Sequence, residues 1–128
     1  MENNSHISVL VVEDDKYMNE TLCEILESEG YNVSAATSVI EAINKLKNSK
    51  KQYRLLILDY NLLNHNGVTG IDIYNAAKEI NPDVKSIMMS AYGNKKIKEK
   101  AYERGINLFM DKPFRINELF DALHKVSL

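Results

Sequence analysis

Two apolar runs of four residues, Val9–Val12 and Leu55–Leu58, each end directly in acid. The first runs into Glu13-Asp14-Asp15 and the second into Asp59. An apolar run without polar alternation suits a strand covered on both faces, the position of a parallel strand between two layers of helices. These are the longest apolar runs in the chain, and they are far too short to cross a bilayer.

Helical and strand patterns alternate around them. Met18, Leu22, Ile25 and Leu26 share one helical face ahead of Gly30, where a left-handed cap is expected. Val33–Ala36 reads as a short strand. Ser38-Val39-Ile40-Glu41 has capping-box spacing and opens a second helix with Ile40, Ile43 and Leu46 inward. A third helix spans Ile71–Ile80 and stops at Asn81-Pro82-Asp83, and a fourth strand spans Val84–Met89. Lys95–Arg104 is a charged fourth helix stopped by Gly105, and Leu108–Met110 a fifth strand. Ile116–Val126 closes the chain as a helix with Leu119, Phe120, Leu123 and Val126 inward. Such alternation implies right-handed crossovers and an α/β fold on a doubly wound, five-stranded parallel sheet.

At 128 residues the chain has room for one domain with a real core, read over residues 7–128 behind a loose tail at 1–6. An apolar content of 45% with net charge −2 excludes a disordered chain. One cysteine, Cys23, excludes an internal disulfide or a multi-cysteine zinc site. It lies beside the apolar stripe of the first helix and reads as a small packed residue rather than a redox sensor. His6, His65 and His124 are too scattered for a histidine metal site. Residues 91–128 carry a net +3 against −5 before them, but this charge is spread over amphipathic helices and does not suggest a nucleic-acid surface. With no secretory apolar segment either, a cytoplasmic location is expected.

Ligands of open α/β sheets bind at the carboxyl ends of the strands. Glu13 and Asp14 fall at the end of the first strand, Asp59 at the end of the third, Ser90 at the end of the fourth, and Lys112 just past the fifth. Neighbouring strands lie about 4.8 Å apart, so the carboxylates of strands one and three can converge. Converging carboxylates repel, raise at least one pKa and invite a hard cation, Mg²⁺ or Mn²⁺. Asp14 and Asp59 suit direct ligands, and Glu13 a contact through water. Each acid alone is ordinary, since acids commonly open helices. Four strand ends bearing acid, hydroxyl and ammonium together are not.

Five short motifs in order, Val11-Val12-Glu13-Asp14-Asp15, Leu56-Ile57-Leu58-Asp59, Gly70, Met88-Met89-Ser90-Ala91 and Phe109-Met110-Asp111-Lys112-Pro113-Phe114, make the sequence resemble the receiver domain of two-component response regulators. The resemblance implies a flavodoxin-like sheet of order 2-1-3-4-5. It implies that Asp59 accepts a phosphoryl group from a sensor histidine kinase or a histidine phosphotransfer protein. Glu13 and Asp14 become the metal pocket, completed by Asp59 and the backbone carbonyl of Asn61; Ser90 becomes the switch hydroxyl and Lys112 the phosphate-binding cation. Phe109 resembles the family's switch aromatic, and Lys112-Pro113 its cis peptide. The face formed by helix 4, strand 5 and helix 5 is implied for output or homodimerisation, with the downstream target in another polypeptide or a fused output domain. No nucleic-acid or membrane contact is implied through this domain.

Two departures stand out. The Asp59–Gly70 stretch is longer than the family's common form, with Leu63 in place of the usual proline and Asn64-His65-Asn66-Gly67 as the inserted turn. Asn61 and Tyr92 occupy positions that, in the family, set access of the hydrolytic water, and the bulk of Tyr92 suggests slow autodephosphorylation. Two other readings are weaker. A degenerate receiver acting as a constitutive binding module conflicts with the complete set of site residues. An aspartate-dependent phosphohydrolase wants an acid two residues past the nucleophile, where this chain has Asn61.

Overall fold

A computed structural model of the chain describes residues 6–48, 52–62, 67–91 and 93–126. Its elements alternate without exception: β1 (Ser8–Val12), α1 (Lys16–Ser28), β2 (Asn32–Ala36), α2 (Val39–Asn48), β3 (Leu55–Asp59), α3 (Gly70–Ile80), β4 (Lys85–Ser90), α4 (Lys95–Glu103), β5 (Leu108–Asp111) and α5 (Ile116–Lys125). The strands form one sheet of order β2-β1-β3-β4-β5, every pair parallel. The expected α/β fold and strand order are both found.

The four-residue runs are strands because both their faces are needed. Val9–Val12 and Leu55–Leu58 are all 0% exposed. Alternate residues go to opposite sides. Leu10, Val12, Leu56, Leu58 and Met88 pack with α2, α3 and α4 in one core, and Val9, Val11, Leu55, Ile57, Ile87 and Met89 pack with α1 and α5 in the other. Each such side chain contributes roughly 1.5–3 kcal/mol by leaving water.

Helix ends follow local chemistry. Asp15 caps α1 by accepting from the Met18 amide at 3.2 Å. Thr69 and Asp72 cap α3 reciprocally, through Thr69 N to Asp72 Oδ2 at 2.8 Å and Ile71 N to Thr69 Oγ1 at 3.2 Å. At α2 the Ser38 hydroxyl accepts from Glu41 N at 3.1 Å, but the Glu41 carboxylate reaches Thr37 N rather than Ser38 N. Gly30 and Gly105, just past α1 and α4, have the positive φ expected there, 91° and 105°.

Two inward assignments are corrected. Ile40 is 71% exposed and Phe120 36% exposed. On α2 the buried line runs through Ala42 and Leu46, with Val39 and Ile43 at its margin. On α5 it runs through Leu119, Ala122, Leu123 and Val126. Ile40 sits two residues, about 200° of helical rotation, from Ala42, and Phe120 one residue, about 100°, from Leu119. Of the expected N-terminal tail only His6 lies within the described residues; Leu63, Asn64, His65, Asn66 and Tyr92 lie outside them.

The outer edges of the sheet are met by side chains. On β2 the Ala35 carbonyl, facing away from β1, accepts from the Lys45 ammonium of α2. On β5 the Phe109 N–H, facing away from β4, donates to the Tyr102 hydroxyl of α4 at 3.1 Å.

Candidate functional site

Parallel strands deliver their carboxyl ends to one rim, and four of the five carry a polar group there. Glu13 follows β1 and is 1% exposed; Asp59 ends β3 at 5%, and Ser90 ends β4 at 0%. Asp14 is half-buried, and one carboxylate oxygen from each of Glu13, Asp14 and Asp59 lies within 4.8 Å of the others. Lys112, one residue past β5, reaches across to Glu13 Oε2 at 2.6 Å and Asp59 Oδ2 at 3.0 Å. The remaining oxygens are also used: Glu13 Oε1 accepts from Asp15 N at 3.2 Å, and Asp59 Oδ1 from Asn61 N at 3.1 Å. The Asn61 side-chain amide donates to Ser90 Oγ at 3.2 Å. The sequence-predicted residues Glu13, Asp14, Asp59, Asn61, Ser90 and Lys112 therefore share one rim.

Backbone geometry fixes this arrangement. The Tyr60 amide donates to the Met89 carbonyl at 2.8 Å, extending β3 past Asp59, and the Lys112 amide donates to the Ser90 carbonyl at 2.9 Å. Gly70 packs directly against the end of β3, where a Cβ would stand 2.5 Å from the Asp59 carbonyl oxygen. The Lys112–Pro113 peptide is cis, as the resemblance implies. Phe109 pairs with Met88, and its half-buried ring lies against Gly93 and under the Lys98 ammonium, 5.7 Å from the ring centroid.

Three carboxylates face one ammonium. Burial pushes the Glu13 carboxyl up to about 7, the hydrogen bond from Lys112 opposes this, and the neighbouring Asp59 charge adds to it. Burial works against the Lys112 ammonium, but its hydrogen bonds to Glu13 and Asp59, and their charges, outweigh that and raise its pKa. Hard, converging carboxylate oxygens fit a divalent cation that prefers oxygen ligands. Among them Asp14 is the most open, which suits a direct ligand.

Asn19 carries a role not assigned from sequence. It is 2% exposed, and its side-chain amide donates to the Glu13 carbonyl at 3.0 Å and the Ala36 carbonyl at 2.9 Å, pinning the turn that carries the acids. An asparagine three residues before Leu22 and seven before Leu26, on the inward stripe of α1, was the available signal. Cys23 is half-buried, its thiol donates to Asn19 Oδ1 at 3.3 Å, and burial raises its pKa to about 11, so it is a packed thiol and not a thiolate.

Known proteins match over the same span. The sequence model of the response regulator receiver domain matches residues 9–124. The chemotaxis protein CheY of Thermotoga maritima is 33% identical over 120 residues, covering 93% of this chain and 96% of that protein. The non-phosphorylated HemR receiver domain of Leptospira biflexa superposes with a TM-score of 0.83 at 28% identity, covering 95% of each chain. A response regulator of Burkholderia pseudomallei, solved with a phosphorylated aspartic acid, calcium ion and citrate, shares the fold at 22% identity and TM-score 0.80, covering 91% of this chain and 66% of that one. Among the described residues no helix is long and apolar enough to cross a membrane.

Proposed function

This chain belongs to the response regulator receiver domain family of two-component signalling, and on that premise we propose that it is a phosphoacceptor switch with Asp59 as the acceptor. The observation that carries this is the Asp59 carboxylate: 5% exposed, with the Lys112 ammonium at 3.0 Å and the Glu13 and Asp14 oxygens within 4.8 Å.

An Asp59 oxygen attacks the phosphorus of a phosphohistidine on a sensor kinase or phosphotransfer protein. The new O–P bond forms as the P–N bond breaks, its electron pair leaves on the imidazole, and an acyl phosphate results. Asp14 and Asp59, with the Asn61 carbonyl, would hold Mg²⁺ or Mn²⁺, and Glu13 would act through water. When bound there, such a cation would offset the repulsion between the carboxylate and the incoming phosphoryl oxygens. Lys112 exchanges its bond to Asp59 for one to the phosphoryl group, which brings a charge of roughly −2. The Ser90 hydroxyl donates to the same group, drawing in the loop that follows β4 and remodelling the α4–β5–α5 face for a downstream target.

The test is incubation with Mg²⁺ and acetyl phosphate followed by intact mass measurement. A phosphoryl adduct present in the wild type and absent in Asp59→Asn is expected. No adduct, or an undiminished one in the variant, refutes the reading.

A further inference from the structure

Of the five helices α4 has the least purchase on the core. It contributes a single buried residue, Ala101, where every other helix contributes at least two. Its grip on β5 is polar and comes from two side chains one turn apart. Lys98 pairs with Asp111 at 2.9 Å and covers the Phe109 ring, and the Tyr102 hydroxyl accepts from the Phe109 amide at 3.1 Å. The ring also fills the space at Gly93, where a Cβ would lie 2.7 Å from Phe109 Cε1 and 3.0 Å from Cζ. The ring is thus wedged between α4 and the loop leading into it.

This wedge connects directly to the acid site. Asp111 and Lys112 are adjacent at the end of β5: one holds Lys98 of α4, the other holds Asp59 and Glu13. Ser90 pairs with Asp111 in the sheet, and the loop it begins carries Gly93. Any shift of Lys112 or Ser90 toward a group on Asp59 therefore pulls on Asp111 and on the seat of the ring together.

We propose that Lys98 and Tyr102 are positioning residues of the switch: they clasp α4 and Phe109 to β5, and phosphorylation of Asp59 opens the clasp. The Asp59 half of this statement rests on the function proposed above; the clasp itself does not. Its contacts are partly exposed, with Lys98 at 37% and Asp111 at 60% of the side chain. Losing one hydrogen bond and one such ion pair is then worth about tenfold in the balance between clasped and open forms.

Amide hydrogen exchange followed by NMR tests both halves. In Tyr102→Phe the Phe109 amide loses its acceptor and exchanges about five- to tenfold faster. In Lys98→Met/Tyr102→Phe the α4 amide shifts move away from the wild-type positions, while the exchange of Leu10 and Ile57, in the core, stays as in the wild type. Mg²⁺ with beryllium fluoride, a phosphoryl mimic, moves the wild-type α4 amides in the same direction as the double variant and speeds Phe109 exchange. If Tyr60 and Asn61 report the bound fluoride and Phe109 exchange does not change, the coupling to Asp59 is overturned. If Tyr60 and Asn61 do not respond, the acceptor reading fails and the clasp is decided by the double variant. Unchanged α4 shifts there overturn it, and displaced ones uphold it.

Discussion

Glu13 makes the stability of the metal-free protein fall as pH rises, the reverse of the usual carboxylate effect. Its carboxyl is 1% exposed, and burial lifts its pKa from 4.5 to about 7 against the pull of Lys112. A group whose folded pKa lies above its unfolded value keeps its proton in the folded chain after the unfolded chain has released it. The contribution is therefore fully present below pH 4.5 and is lost as pH climbs through 7. One pKa unit is about 1.36 kcal/mol, so the loss amounts to about 3 kcal/mol, a large fraction of a domain's stability. The assay is urea unfolding between pH 4 and about 8.5 in EDTA, for the wild type and Glu13→Gln. The substitution keeps the shape and removes the Glu13 titration, so subtracting the two curves cancels the ionising groups that Glu13 does not touch, leaving Glu13 with its partners Lys112 and Asp59. The difference should drift against the wild type by that amount, and added Mg²⁺ should shrink the drift, because a cation favours the ionised carboxyl. A difference that is flat across the range refutes the reasoning.

Two other perturbations follow from contacts in the structure, and a third from the sequence alone. Gly70→Ala places a Cβ 2.5 Å from the Asp59 carbonyl and should cost about 1–3 kcal/mol in urea unfolding, with slower phosphorylation by acetyl phosphate because the acceptor strand must shift. Asn19→Ala takes the side-chain donor from the Glu13 carbonyl and leaves the Ala36 carbonyl with only the Glu13 amide; it should cost about 1–3 kcal/mol by the same measurement, whereas a loss below a few tenths would remove Asn19 from the turn's support. Tyr92→Ala should shorten the lifetime of the phosphorylated protein, followed by intact mass after removal of the donor, and an unchanged lifetime counts against Tyr92 as a barrier to water.

What was legible in the sequence is what a strand's own residues determine. Runs such as Val9–Val12 declare burial on both faces, and parallel pairing then brings Glu13, Asp59, Ser90 and Lys112 to one rim whatever the helices do. Ile40 and Phe120 were misread because a helix has apolar candidates at its margins, and only the neighbouring layer decides which of them is covered. Asn19 was missed for a related reason: its partners are carbonyls at the ends of two different strands, which no local pattern encodes. Lys98 and Tyr102 likewise carried no assignment from sequence, since their partners Asp111 and Phe109 lie on β5.

The two edges of the sheet are stopped in different ways, and the difference bears on self-association. Unpaired strand edges are templates on which further strands can add. At β2 the stop is the Lys45 charge on a helix with two buried residues, and at β5 it is the Tyr102 hydroxyl on a helix with one. Mild denaturation that loosens helices in order of their anchorage uncovers β5 first. Chains in that condition would join through β5, growing the sheet from one side only, so that Tyr102 also guards this edge against further strands.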